Sequence, residues 1–409
     1  MMPFIRTILV GAILLSGCMA IPEISTESAI VGYHVTDLDS GEVLASRNAD
    51  MGFIPASTVK AITALAALEI LGPSHRFRTT IHANGKLKNG VLDGNIWLHG
   101  GGDPMLAAQD LLALARQLRD KGLSEVTGGY YYDDTALVAT PQIAAAQPQA
   151  APYNPAISAL SLDFNRLHVR WRQSPDGRFE SQLIPAMGTM APQLASASAP
   201  PGQPFTVPAN DLGAETWLAH RQHLPTATGT LALPVKHPAR RTAQTFWALA
   251  KRLGLSLPGP KSGRIATDAR PVAALLSAPL LDTLRPALRH SNNLVSELIG
   301  RATTRRLTGQ ALGQDKSAAA IKRWLARRLA GTDWKTASLA NHSGLSAASR
   351  ITPKQMNAVM TAALKGRYAG WDFASLLPVG GWDGALDGRF AGPATSGRVW
   401  AKTGTMHYA

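Results

Sequence analysis

Three short clusters in this sequence hold residues that could do chemistry together. The first is Pro55-Ala56-Ser57-Thr58-Val59-Lys60, which runs into the apolar stretch AITALAALEIL. The proline before that stretch and Gly72-Pro73 behind it predict a helix of about three turns. Ser57 then sits at a helix N-terminus, where unpaired backbone N–H groups favour developing negative charge. Lys60 falls one turn on, on the same face, within reach of the hydroxyl. A serine hydroxyl is a weak nucleophile until a base takes its proton, and a desolvated lysine amine can be that base. Ser57 is the only serine with a lysine three residues on. Taken alone, the pattern also reads as a serine helix cap followed by a solvated lysine.

The other two clusters follow in order. Ser291-Asn292-Asn293 opens a stretch in which Leu294, Val295, Leu298, Ile299 and Ala302 recur at helical spacing. Lys402-Thr403-Gly404 closes the apolar run Val399-Trp400-Ala401 and occurs once. Ser46-Arg47-Asn48 fits the middle pattern too, but it precedes the nucleophile. Ser-x-x-Lys, Ser-x-Asn and Lys-Thr-Gly in that order resemble the signature of penicillin-binding proteins and serine β-lactamases. Gly100-Gly101-Gly102-Asp103-Pro104, Tyr132-Asp133-Asp134, the run from Asn154 to Leu160, and Ser343-Gly344-Leu345-Ser346 narrow it further. Together these resemble the D-alanyl-D-alanine carboxypeptidase/endopeptidase family of low-molecular-mass class C penicillin-binding proteins (peptidase family S13). The similarity runs from Glu27 to the last residue.

That resemblance implies an α/β (α+β) fold. Its catalytic domain is penicillin-binding protein/serine β-lactamase-like, an antiparallel sheet flanked by helices, with a large, mainly-β insertion. The implied activity is that of a serine-type D-Ala-D-Ala carboxypeptidase or DD-endopeptidase. Such an enzyme acts on peptidoglycan stem peptides through an acyl-serine and is inhibited by β-lactam antibiotics. Ser57 is then the nucleophile and Lys60 its base, while Ser291, with Lys402, passes the proton to the departing amine. Asn293 hydrogen-bonds the substrate peptide, Lys402 and Thr403 receive its carboxylate, and Gly404 leaves room along the strand. The N–H groups of Ser57 and Thr405 form the oxyanion hole. Two lysines, with no buried acid beside the serine, are expected to lower one lysine pKa and make Lys60 a neutral amine. The family has Asp-Gly where this chain has Asn341-His342, and His342 reads as a turn histidine in preference to a base. A serine β-lactamase is the competing enzyme reading, disfavoured because no second base is in view for the deacylating water. A catalytically inactive cell-wall-binding protein is the competing reading of another class. No cofactor is implied, and the histidines show no H-E-x-x-H or similar metal-ligand spacing.

The elements that must position these residues also leave patterns. IVGYHVTDLDSGEVLASRN predicts a β-hairpin around Asp39-Ser40-Gly41, and the resemblance implies that it packs behind the Ser57 helix. Residues 19–73 and 261–409 are expected to form a discontinuous catalytic domain, interrupted by an insertion over 74–260. Inside it, Asn89-Gly90 marks a hairpin turn, and Asp103-Pro104 reads as the cap and first residue of a helix. Residues 136–156 read as a surface loop, 185–210 as an irregular loop, and HPARRTAQTFWALAKRLG as a helix. The family continues for several strands beyond Lys-Thr-Gly, whereas this sequence stops at Ala409. With those C-terminal strands missing, VWAKTGT is expected to lack a neighbour to pair with. The 409-residue chain would then be an incomplete reading of a longer protein, unstable or poorly active when expressed alone.

Residues 1–18 read as an export signal with a lipobox. Arg6 is the positive flank, Ile8 to Leu15 the apolar core, and Leu15-Ser16-Gly17-Cys18 the cleavage region. Cys18 is the only cysteine, which excludes an intrachain disulfide or a cysteine metal site. Its lipidation would anchor an exported, periplasmic protein to a membrane; ordinary cleavage after Ala20 is the alternative. Hydrophobic residues make up 45% and charged residues 17%, a globular composition with ample core. The net charge of +14 is spread over Arg301, Arg305, Arg306, Lys322, Arg323, Arg327 and Arg328 among others, without interleaved aromatics. That reads as a solvated basic face, not a nucleic-acid-binding surface.

Overall fold

The computed structural model describes residues 30–173, 179–184, 194–196, 205–206, 217–219 and 227–406. Cys18 and the export signal lie outside them, as does most of 185–210. The helices in chain order are α1 (Val59–Ile70), α2 (Ala108–Asp120), α3 (Pro238–Arg252), α4 (Leu280–Arg289), α5 (Asn293–Thr308), α6 (Gln314–Arg328) and α7 (Pro353–Lys365). Two compact units emerge, one from the chain up to His75 together with Pro279 onward, the other from Arg76–Ala278.

In the first unit α1 is the central element. Every residue from Val59 to Leu68 is buried, because small and apolar side chains occupy all its faces. Helices α4, α5, α6 and α7 pack around it. The expected hairpin is present as β1 (Tyr33–Thr36) and β2 (Val43–Arg47), antiparallel. Its packing partner is α7, not the back of α1 as expected. Asn357 on α7 ties the two together: its Nδ2 donates to the His34 carbonyl (3.2 Å) and its Oδ1 accepts from Thr36 Oγ1 (3.2 Å). α7 itself starts at a capping box, Thr352 with Gln355, and packs on α1.

The second unit is built on a five-stranded sheet. Its strand order is Pro260–Ser262, Tyr130–Asp133, Ile96–Gly100, Arg78–Ala83, Arg270–Leu276. The last of these pairs antiparallel with Arg78–Ala83 and the first pairs parallel with Tyr130–Asp133. Residues 261–278 therefore belong to this unit, and the boundary falls later than the expected residue 260. Amphipathic α2 and α3 cover the sheet through Leu111, Leu114, Phe246 and Leu249, which join Ile81, Leu98 and Tyr130 in one apolar core. The hairpin at Asn89-Gly90 forms as expected, with both residues in the left-handed region.

One local expectation is corrected and another refined. Asp103-Pro104 does not start a helix. Asp103 Oδ1 accepts from the Met105 N–H (2.9 Å), and α2 begins at Ala108, where Asp110 takes the Ala107 N–H (2.9 Å). Residues 136–156 form a loop, exposed at Val138, Ala145, Gln149 and Tyr153, but it is also anchored in the core. Ala136, Leu137, Ile143, Ala144 and Ala151 are buried. Asn154 holds the Ala144 N–H (2.8 Å) and carbonyl (3.0 Å) with its amide, so side-chain bonds replace the missing ladder. Among the described residues, no helix is long and apolar enough to cross a membrane, and no cluster of His, Cys, Asp or Glu could hold a metal ion.

Candidate active site

The first unit brings all three sequence clusters to one place. Ser57 lies in a single 3-10 turn, Ala56–Thr58, that leads straight into α1. Ala56 is held at φ 45, a left-handed conformation unusual for alanine, which turns the chain sharply before the serine. One turn later Lys60 is buried to 1% exposure. Its Nζ lies 2.8 Å from Ser57 Oγ, 2.7 Å from Asn293 Oδ1 and 2.7 Å from the Ser343 carbonyl oxygen. Asn293 is the first residue of α5.

Burial drives the Lys60 pKa well below its ordinary value, the neighbouring Lys402 ammonium adds to the fall, and the Glu297 carboxylate opposes it. A neutral amine has two N–H donors and one lone pair. Asn293 Oδ1 and the Ser343 carbonyl are acceptors only, so they take the two N–H groups. The lone pair is left facing the Ser57 hydroxyl.

Ser291 sits in the turn between α4 and α5 at φ 54, and Asn292 caps α5 by accepting from the Val295 N–H (3.2 Å). Lys402 Nζ donates to Ser291 Oγ (3.0 Å) and to its neighbour's carbonyl, Thr403 O (2.8 Å). Burial lowers the Lys402 pKa to about 8. The segment carrying Lys402 has a partner after all. Gly380 N donates to Val399 O (2.8 Å), Ala401 N to Pro378 O (3.3 Å), and Val379 bridges Trp400. Asp383 holds that partner in place: it accepts from the Val379 N–H (2.8 Å) and pairs with Arg289 (2.9 Å) at the end of α4, two residues before Ser291.

Gly404 backs onto the nucleophile. A methyl group built on it would lie 2.8 Å from the Pro55 carbonyl oxygen and 3.2 Å from Ser57 N, so only glycine brings this segment, which forms no regular strand, so close. Thr403 and Gly404 are half-buried and Thr405 is exposed. Of the sequence candidates, Ser57, Lys60, Ser291, Asn293, Lys402 and Gly404 converge by contact. Thr403 takes part through its carbonyl, and Cys18 lies outside the described residues.

One residue was missed. Glu297, fully buried on α5, contradicts the expectation of no buried acid near the serine. Its signal was a lone carboxylate inside the apolar run LVSELIG. Arg301, read as part of a solvated face, is likewise buried at 2% exposure. His342 is buried too. Its Nε2 and Ser317 Oγ share a 2.7 Å hydrogen bond, and burial, with the nearby Arg301 charge, lowers its pKa to about 3, so it is a neutral structural group.

The family model for the D-Ala-D-Ala carboxypeptidase 3 (S13) family matches residues 15–409. The chain belongs to that family. It is 29% identical over 408 residues to the D-alanyl-D-alanine carboxypeptidase of Actinomadura sp., covering 93% of this chain and 74% of that protein. The crystal structure of penicillin binding protein 4 from Haemophilus influenzae superposes with a TM-score of 0.80 at 23% identity, covering 92% of this chain and 84% of that one. The same protein complexed with a novel β-lactam superposes with a TM-score of 0.75 at 23% identity, over 92% and 83% of the two chains. The S13 chain described here thus has the mixed helix-and-sheet fold of the penicillin-binding peptidases and is a hydrolase of that family.

Proposed function

We propose that this S13 carboxypeptidase cleaves the bond between two D-alanines of a peptidoglycan stem peptide with Ser57 as its nucleophile. The observation that carries the reading is the buried Lys60 amine 2.8 Å from Ser57 Oγ, its two other partners being acceptors only. Ser57 Oγ bonds to the scissile carbonyl carbon as its proton moves to Lys60 Nζ. The oxyanion settles against the N–H groups of Ser57 and Thr405. The carbon–nitrogen bond then breaks, and Ser291, hydrogen-bonded to Lys402, relays to the departing D-alanine amine the proton that Lys60 took from Ser57. Water hydrolyses the acyl-serine. The Lys402 ammonium and the Thr403 hydroxyl receive the terminal carboxylate, while Asn293 aims Lys60 through Oδ1 and meets the substrate peptide through its amide. No step calls for a metal or an organic cofactor.

A β-lactam mimics the same amide and would stop at the acyl-serine, in line with the β-lactam complex of the Haemophilus influenzae protein. We place the enzyme outside the cytoplasm, as a periplasmic protein led there by residues 1–18 and held at a membrane by a lipid on Cys18. The decisive experiment labels the wild type and Ser57→Ala with a fluorescent penicillin and digests purified muropeptides with both. Labelling and D-alanine release are expected in the wild type alone. Labelling that persists in Ser57→Ala moves the nucleophile elsewhere. Penicillin turnover without muropeptide cleavage would make the chain a β-lactamase, and loss of both activities in the wild type would leave a binding protein.

A further inference from the structure

Behind the nucleophile lies a buried polar cluster that the mechanism above does not use. Glu297 Oε1 accepts from two successive backbone N–H groups, His342 (3.0 Å) and Ser343 (2.8 Å). The carbonyl oxygens of the same two residues face the other way. The His342 carbonyl accepts from Thr63 Oγ1 (2.8 Å) and the Ser343 carbonyl from Lys60 Nζ (2.7 Å), both on α1. Asn341 Oδ1 closes the turn by accepting from the Gly344 N–H (2.8 Å). The 341–344 turn is thus clamped between α5, which supplies Glu297, and α1, which supplies Lys60 and follows directly on the turn that holds Ser57. Glu297 is the only carboxylate among the groups acting electrostatically on Lys60.

We propose that Glu297 is a positioning residue for acylation, which anchors the turn whose Ser343 carbonyl aims the Lys60 lone pair and supplies a negative charge that sets the basicity of that amine. This rests on Ser57 and Lys60 acting as proposed above. Geometry gives the first part. One of the two N–H groups of neutral Lys60 is spent on the Ser343 carbonyl; Glu297 grips the N–H on the other side of the Ser343 Cα, while Asn341 holds the Gly344 N–H of that carbonyl's own peptide plane. Charge gives the second. Burial and Lys402 both push the Lys60 amine toward a weak base, and a base too weak does not draw the serine proton. An ionised carboxylate restores part of that strength.

The titratable groups around this pair are few. Burial raises the Glu297 pKa above the usual carboxylate value, while Arg301 one turn beyond on α5, the Ser343 side chain and the two peptide N–H groups oppose that rise and favour the ionised form. His342 faces from the turn and stays neutral. Lys60 faces from α1 and Lys402 from the Lys-Thr-Gly segment. Only Glu297 among them raises the Lys60 pKa.

The test compares Glu297→Gln and Glu297→Asp with the wild type, reading the rate of acylation by a fluorescent penicillin across pH. An amide carbonyl still accepts from both N–H groups, so Glu297→Gln keeps the clamp and loses the charge. Without the carboxylate the Lys60 amine loses its proton at lower pH, so the acidic limb of acylation is expected to move about one unit to acid. Glu297→Asp keeps the charge and shortens the reach, so its limb stays while the plateau rate falls about tenfold. An acidic limb unmoved in a folded Glu297→Gln protein overturns the charge role. Should that variant lack a cooperative melt, a Glu297→Asp plateau rate equal to wild type overturns the positioning role. A wild type that is not acylated at Ser57 instead defeats the parent reading, which the Ser57→Ala control reports separately.

Discussion

At the scale of single residues, the site is one buried and one half-buried lysine, kept apart in role by what each can touch. Lys60 meets two carbonyl acceptors and a hydroxyl, whereas Lys402 meets a hydroxyl and its neighbour's carbonyl. Lys402 is displaced by burial to about 8, so it is an ammonium through most of the neutral range and loses its proton just above it. Receiving a substrate carboxylate needs the charged form, so kcat/KM for a D-Ala-D-Ala peptide is expected to fall above pH 8 or so. In Lys402→Arg the guanidinium keeps its charge at any pH reached in the assay, so that alkaline fall should move up by at least about one unit. The rate below the fall should drop as well, because a planar fork does not reproduce the ammonium geometry at Ser291. A pH profile of the Arg variant with its alkaline limb in the wild-type place would assign that limb to another group.

At the scale of elements, one turn joins the nucleophile to everything behind it. Gly344 has φ 78, and a methyl built on it would sit 1.7 Å from the Ala56 carbonyl oxygen and 3.1 Å from Ser57 N. Gly344→Ala therefore faces both a conformational cost of about 1–2 kcal/mol and a backbone clash. The turn must back away from Ala56, carrying with it the Ser343 carbonyl that holds Lys60. The acylation rate should fall about 100-fold or more, since displacements near 1 Å at a site can cost that much, while the melting temperature drops by only several degrees. A variant that labels at the wild-type rate would show the close approach to be dispensable. The three catalytic clusters were legible in the sequence because each depends on neighbours along the chain: Lys60 on a helical repeat from Ser57, Asn293 on the start of α5, Gly404 on its place two residues after Lys402. What could not be read was long-range. Nothing local to Glu297 says that its carboxylate points at peptides 45 and 46 residues away. Nothing local to Arg301 separates a buried guanidinium from the exposed ones of the same helix. The hairpin was legible from its alternation and its Asp-Ser-Gly turn, yet its packing partner was not, because the bonds that tie it to α7 come from Asn357, 321 and 323 residues along the chain from the groups it bonds.

At the scale of the molecule, the unit boundary shows the same limit. Leu257-Pro258-Gly259-Pro260 reads as an ending, but the strands Pro260–Ser262 and Arg270–Leu276 complete the edges of the second unit's sheet before the chain leaves it at Ala278. Punctuation residues mark turns, and only pairing says which sheet the next strand joins. The question left at this scale is what holds the enzyme near its polymer substrate. The +14 charge draws the chain to anionic surfaces in a way that salt screens. A lipid on Cys18 would hold it in a way that salt does not touch, because the anchor is apolar area buried in the bilayer. The two can be told apart. In cells fed an alkyne fatty acid, the wild-type protein is expected to take up the label and to stay with membranes washed in 1 M salt or thereabouts, where the Debye length falls to about 3 Å. Cys18→Ser removes the only thiol, so it should lose the label entirely and leave the membranes in that wash. An unlabelled mature protein whose N-terminus is Ile21 would place ordinary cleavage after Ala20 and leave charge alone to hold the enzyme at the surface.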